Sequence, residues 1–303
     1  MTFKKKVTSS MSVLLAVGLF SQLASGANEH QTEASISREK LSLNAADVAL
    51  IRLANNLNIA DLSKTLRLLD KHWQDAYIAP LVDILSLNGS RAATGQIINL
   101  LQQRTGKNFK NNTNDWFYWL WNKPANIVPY YDNFKAILHR QIDPKFNQYF
   151  SDRQAQARVR LDEIRWGGVV QDGIPPLRQP KMLTAKDATY LADDNIIFGI
   201  EINGDARAYP KRILAWHEMF VDTVGGVNIA GVYCTLCGTV IPYKTTLNGV
   251  AYQLGTSGFL YRSNKLMYDK KTQSLWSTVK GEPVVGPLVD KGIVLEHIGV
   301  VTT

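Results

Sequence analysis

Two hydrophobic rhythms meet near Leu161, and together they constrain the fold class of this chain more than any other feature. Before that point apolar residues recur at helical spacing. Leu62, Leu66 and Leu69 sit at i, i+4, i+7, Ile78, Leu81, Val82 and Leu85 at i, i+3, i+4, i+7, and Ile97, Ile98 and Leu101 repeat the theme. That spacing lines one face of an amphipathic helix. Asn88-Gly89 is a helix stop and Ser90 an N-cap for the next helix. Short amphipathic helices joined by tight turns predict a helical hairpin array over residues 44–123, of HEAT-like character. Such arrays more often bind partners or brace a neighbour than do chemistry.

Beyond Leu161 glycine and proline become frequent and apolar residues alternate in short runs. Residues 195–201, 227–233, 240–243, 250–254, 260–262, 266–268 and 274–277 read as strands. Asn203-Gly204, Gly225-Gly226 and Asn248-Gly249 read as the hairpin turns between them. Asp269-Lys270-Lys271-Thr272 is a further turn, and residues 210–216 make one or two helical turns. The expected class is α+β, with a mostly antiparallel, β-rich domain over 161–303. Between the two halves, 124–160 reads as a connecting helical segment. The dense aromatic run Trp116-Phe117-Tyr118-Trp119-Leu120-Trp121 reads as a buried helix sealing a domain edge.

The first 26 residues have the form of a secretory signal. Lys4, Lys5 and Lys6 precede a short apolar stretch from about Met11 to Phe20, and Ala24-Ser25-Gly26 offers small residues for cleavage before Ala27. The apolar run is shorter than the roughly 20 residues that span a bilayer; an uncleaved anchor is the competing reading. The polar segment 27–43 reads as a linker. A periplasmic or secreted protein, with no stable membrane span after cleavage, is expected. The formal charge of +8 falls to +5 when the three signal lysines go. The remaining basic residues are scattered, which excludes the basic stripe of a nucleic-acid binder. The chain stops in the strand-like Val300-Val301-Thr302-Thr303, so it reads as a fragment or an early-terminated product.

Its two cysteines, Cys234 and Cys237, form one Cys-x-x-Cys pair. An exported setting is oxidising, so such thiols are paired or used. A disulfide closing so small a loop stabilises a fold little, which weakens a purely structural role. Thiols at this spacing can cycle between dithiol and disulfide, and in such motifs the nucleophile's pKa is often depressed. The context is not a helix start: Gly238-Thr239-Val240-Ile241 continues as a strand, so the motif belongs at a strand corner. A Cys-x-x-Cys-Gly corner also resembles a metal knuckle. Four ligands are then wanted, and His217 would have to join Cys234 and Cys237 around zinc or copper, with Met267 for Cu(I). A simple structural disulfide is the third reading. Gly238 in place of histidine removes the haem-attachment signature.

Around the pair, His217 in Trp216-His217-Glu218 is a candidate proton shuttle or a structural histidine. Glu218 points away from it if that segment is extended. Arg207 is a candidate cation for an anionic substrate or thiolate, or else an ion-pair partner of Asp205 or Asp222. Ser257, Ser263, Asn264, Tyr268, Asp269 and Trp276 form a polar and aromatic set on neighbouring strands. Ser257-Gly258 lacks the glycine pattern of a hydrolase elbow.

From about Leu161 onward the chain resembles the family called domain of unknown function 3179. The resemblance is carried by Glu163-Ile164-Arg165-Trp166-Gly167-Gly168-Val169, Asp172-Gly173-Ile174-Pro175, Arg207-Ala208-Tyr209-Pro210 and Trp216-His217-Glu218. It continues through Tyr233-Cys234-x-x-Cys237-Gly238-Thr239, Ser257-Gly258-x-Leu260-Tyr261-x-Ser263, Met267-Tyr268-Asp269 and Ser274-Leu275-Trp276-Ser277. It implies an exported or envelope protein built around the cysteine pair. The group is similar to families in which some members place selenocysteine at a thiol position, which implies redox chemistry. Two departures stand out: Thr235 occupies the place expected for proline, and the family pattern continues past Thr303.

The sequence therefore points to a thiol-disulfide redox protein, an oxidoreductase using Cys234, Cys237, His217 and Arg207. Its alternatives are a copper- or zinc-binding module built on Cys234, Cys237 and His217, and a non-enzymatic envelope binding protein. An unidentified protein partner or electron donor would dock through the helical region.

Overall fold

Helical periodicity before Leu161 becomes real helices in the structure, a computed structural model that describes residues 42–56, 59–87, 90–235 and 238–303. The signal segment, most of the linker, the Asn88-Gly89 stop and Cys237 lie outside the described residues. The helices are α1 (Ala45–Asn55), α2 (Ile59–Lys71), α3 (Ile78–Leu87), α4 (Arg91–Thr105), α5 (Thr113–Trp121), α6 (Tyr131–His139) and the single turn α7 (Asn147–Phe150). Every apolar residue picked out by spacing is buried: Leu62, Leu66 and Leu69 on α2, Ile78, Leu81, Val82 and Leu85 on α3, and Ile97, Ile98 and Leu101 on α4. Ser90 caps α4 by accepting from the Ala93 amide, and Gly106 ends that helix at φ 68°. Asn112 caps α5 by accepting from the amides of Asn114 and Asp115. The aromatic run forms α5 itself, with Trp116, Phe117, Leu120 and Trp121 inside. Trp121 Nε1 donates to the Asp162 carbonyl at 2.8 Å. Among the described residues no helix is long and apolar enough to cross a membrane.

The second half is β-rich and mostly antiparallel, completing the α+β class. Its strands are β1 (Ile164–Trp166), β2 (Leu177–Arg178), β3 (Ile197–Ile202), β4 (Asp205–Pro210), β5 (Met219–Val224), β6 (Val227–Cys234) and β7 (Thr239–Lys244). Then come β8 (Thr246–Leu247), β9 (Val250–Ala251), β10 (Leu254–Tyr261), β11 (Asn264–Asp269), β12 (Leu275–Ser277), β13 (Pro283–Val285) and β14 (Val301–Thr302). Among the described residues they form a five-stranded sheet β1-β10-β11-β12-β13, a four-stranded sheet β2-β5-β6-β7, a three-stranded sheet β14-β3-β4 and the hairpin β8-β9. Only the β2–β5 pairing is parallel.

The four-stranded sheet lies in the middle. One face carries Phe220, Val224, Ile229 and Tyr233 against Phe198, Ile200 and Tyr209 of the three-stranded sheet. The other carries Met219, Ala230, Val232 and Tyr243 against Leu254, Met267 and Trp276 of the five-stranded sheet. A strand covered on both faces needs an almost unbroken apolar run, and Val227–Cys234 is one. The two-residue turns demand backbone at positive φ. Asn203 and Gly204 at φ 52° and 80°, Gly225 and Gly226 at 53° and 79°, and Asn248 and Gly249 at 50° and 76° supply it.

Two strand readings change, and one helical reading is extended. The run 250–254 is interrupted after Ala251, so β10 starts afresh at Leu254. β10 then continues unbroken to Tyr261, where 260–262 alone is legible from alternation. A bulge between Thr256 and Leu260 hides the rest, because the extra residue breaks the period. Trp216-His217-Glu218 is not extended: it closes the helix α8 (Lys211–His217), with Glu218 at φ 54°.

Helical and β-rich residues share one core, and Ala45–Thr303 form a single unit. Phe259 on β10 is its centre, with ring centroids 4.8 Å from Phe146, 5.0 Å from His139 and 5.1 Å from Phe150.

Candidate functional site at the β6–β7 corner

Cys234 is the last residue of β6 and pairs with Thr239, the first of β7. The strand corner expected here is therefore, at Cys234, the β6–β7 hairpin. Gly238 turns it at φ 67°, and its amide donates to the Cys234 carbonyl at 2.8 Å. Cys234 is buried, 9% exposed.

His217 arrives at the same end of the sheet. Met219 is opposite Val232 on β6, and the Tyr233 amide donates to the Glu218 carbonyl at 2.9 Å. His217 itself is the last residue of α8, just before β5 begins. His217 Nδ1 lies 2.9 Å from the Pro175 carbonyl. A carbonyl only accepts, so Nδ1 carries the hydrogen and Nε2 of the neutral ring is the basic nitrogen. The Asp172-Gly173-Ile174-Pro175 block thus orients the histidine.

Arg207 is placed elsewhere. Its guanidinium meets Asp222 at 2.8 Å and Asp205 at 3.0 Å. Asp222 faces Ile229 on β6, five residues from Cys234, which at about 3.4 Å per residue is some 17 Å along the strand. Tyr209 also donates to Asp222, at 2.8 Å. The two carboxylates raise the Arg207 pKa further, and burial raises that of Tyr209. The ion pair is the arrangement adopted, and it holds Arg207 away from Cys234.

Two charged residues meet beside Thr235: Lys265, not singled out in the sequence, and Glu218, which was read as pointing away from His217 in an extended segment. Glu218 turns back towards the corner because its left-handed backbone reverses the chain. Its carboxylate accepts from Thr235 Oγ1 at 3.0 Å and contacts the Lys265 ammonium on β11. Proline at the place of Thr235 could not donate that bond. Burial pushes Lys265 down to about 8. The available signal was parity: Lys265 and Met267 share a face of β11, and Met267 is buried.

Beside the corner lies a cavity of about 230 Å³ between the sheets. Val232, Leu266, Met267 and Phe259 give it apolar walls, and Thr235, Glu218 and Lys265 form its polar side. The β10 bulge shapes another wall. There Ser257 Oγ donates to the Leu266 carbonyl at 2.6 Å and accepts from the Phe259 amide at 3.0 Å. The hydroxyl is engaged with backbone, consistent with the missing hydrolase elbow. Gly258, at φ 85°, has no room for a Cβ, which would stand 2.5 Å from the Val169 carbonyl oxygen.

Three of the other polar and aromatic candidates, Asp269, Tyr268 and Trp276, are engaged within the fold. Asp269 accepts from the Thr272 amide at 2.8 Å and closes the turn read from sequence. Tyr268 donates to Asp172 at 2.6 Å, and Trp276 is core. Among the described residues no group of three His, Cys, Asp or Glu side chains is placed to hold a metal ion. The proposed zinc or copper set includes Cys237, which lies outside them.

Residues 171–303 match the model of a family described as protein of unknown function (DUF3179). The match spans Cys234, Cys237, His217, Glu218 and Lys265. No curated protein and no solved structure matches the chain.

Proposed function

We propose that this chain is an extracytoplasmic thiol-disulfide redox protein working through Cys234 and Cys237. The observation that carries the reading is the Cys234–Thr239 pairing, in which Cys234 ends β6 directly opposite the start of β7. The cavity lined by Thr235, next to Cys234 in the chain, also holds the cationic Lys265. In the reaction, one cysteine thiolate attacks a substrate disulfide. A mixed disulfide forms, the substrate S–S bond breaks, and one substrate thiolate leaves and takes up a proton. The second cysteine then attacks the first, closing the Cys234–Cys237 disulfide and releasing the other substrate thiol. Two electrons pass to the substrate, and the protons lost by the pair end on it. His217 Nε2 accepts the proton of the attacking thiol, and the Lys265 charge favours the thiolate.

The test is the equilibrium reduction potential of the pair, by thiol trapping and mass spectrometry. A value between about −120 and −270 mV is that of working redox proteins, and Cys234→Ser should abolish exchange. A value below about −300 mV would mark an inert structural disulfide. A pair that oxidises only after a chelator is added would favour the zinc or copper reading.

A further inference from the structure

The cavity beside the hairpin tip has a feature that thiol chemistry does not require. Its polar side is neither a lone charge nor a set of hydroxyls. It is a cation and an anion side by side, Lys265 and Glu218, at the end of an apolar slot. Their side chains are 16% and 12% exposed, so the pair is reached from solvent while mostly screened from it. An ammonium donates three hydrogen bonds and a carboxylate accepts up to about four. Mutual contact and the Thr235 hydroxyl therefore leave capacity on both.

A ligand entering here meets a donor next to an acceptor, with no net charge. A carboxylate or ammonium ligand would bring one uncompensated charge into a site of low polarity, which is costly. A purely apolar ligand would cover both charged groups without satisfying them. The amide group complements the pair: its carbonyl accepts from Lys265 and its N–H donates to Glu218. The apolar slot beside it has about 230 Å³, whereas a cavity of about 150 Å³ already admits benzene. There is room for one aromatic or branched aliphatic side chain and part of its own backbone.

We infer that this cavity binds an uncharged, amide-bearing apolar group, the chemistry of a hydrophobic residue within an extended polypeptide. Amide selectivity follows from the Lys265–Glu218 geometry alone. That the polypeptide is also the substrate of thiol exchange rests on the proposed function. Thr235, next to Cys234 in the chain, would bring such a residue up to the hairpin tip.

The experiment titrates the full chain with N-acetylphenylalaninamide, phenylacetate, phenethylamine and toluene, followed by calorimetry and by the methyl resonance of Met267. The amide is expected to bind saturably and at least tenfold more tightly than the other three. Lys265→Met should erase its advantage over toluene. The Cys234→Ser, Cys237→Ser double variant should keep the preference intact, which separates this inference from the redox reading. Equal binding of the amide and the charged ligands, or no binding at millimolar concentration, overturns it. The comparison within the unaltered chain decides the matter even if Lys265→Met fails to fold.

Discussion

Lys135, on α6, donates to the backbone carbonyl of Ile164 at the head of β1 across 2.7 Å, with its side chain wholly buried. The same ammonium meets Asp83 of α3 at 3.0 Å, and Tyr131 donates to that carboxylate at 2.6 Å. One buried cation therefore ties two helices to the edge of the five-stranded sheet. Burial raises the Asp83 pKa, against the pull of Lys135. Removing one partner of such a pair strands the other, at a cost of about 3–5 kcal/mol. Lys135→Met is expected to lose that much stability in urea unfolding. Lys135→Met with Asp83→Leu should lose less, because no buried carboxylate is left behind.

His139 makes a prediction about acid. Its ring is buried against Phe150 and Phe259, and Nδ1 lies 2.8 Å from the Lys135 carbonyl. Burial, with the neighbouring Lys135 charge, pushes its pKa down to about 3 from an ordinary 6.5. The unfolded chain therefore binds a proton between those values that the folded chain refuses. Stability rises with pH across this window, and falls as pH drops from 6.5 towards 3. Each unit separating the two pKa values is worth about 1.4 kcal/mol. His139→Phe should lose less stability than the unaltered chain between pH 7 and pH 4, measured by chemical denaturation.

Gly231 is opposite Phe220 across β5 and β6. A Cβ at this glycine would sit 2.3 Å from the Phe220 ring, which is itself stacked on Tyr209 at 4.2 Å. The ring cannot withdraw without disturbing that stack. Gly231→Ala is expected to destabilise by about 1–3 kcal/mol through overpacking. Unfolding midpoints of this variant, alone and combined with Phe220→Leu, check it: the second change should recover part of the loss.

Arg207 separates a structural role from a redox one. Its charge is matched by Asp222, which is 1% exposed at the side chain. Arg207→Met leaves that carboxylate without its cation, with an expected loss on the order of 3 kcal/mol. Arg207 is on β4 and its partner Asp222 faces Ile229, five residues along β6 from Cys234, so the substitution should leave the reduction potential of the cysteine pair unchanged. A potential that moved while stability held would return Arg207 to the site.

Much of the architecture was legible because its causes are local. The burial of Leu62, Leu66 and Leu69 follows from one spacing, and the capping of α4 from one serine. The hairpins follow from Asn-Gly and Gly-Gly pairs that alone tolerate the backbone their turns need. The bulge in β10 was not legible, since an extra residue scrambles the very alternation used to find a strand. Nor were the pairings of β2 with β5 and of β14 with β3, each of which joins a two-residue strand to one far away in the chain.

The site divides in the same way. The strand corner at Cys234 could be placed from residue order, because a strand ends there and another begins at Thr239 after Gly238. That Glu218 and Lys265 meet beside it was decided by tertiary structure alone. It depends on a left-handed residue at the end of α8 and on two sheets stacking in one register. Periodicity assigns a residue to a face, but only packing decides what that face meets, since contact between distant segments depends on every element that holds them together.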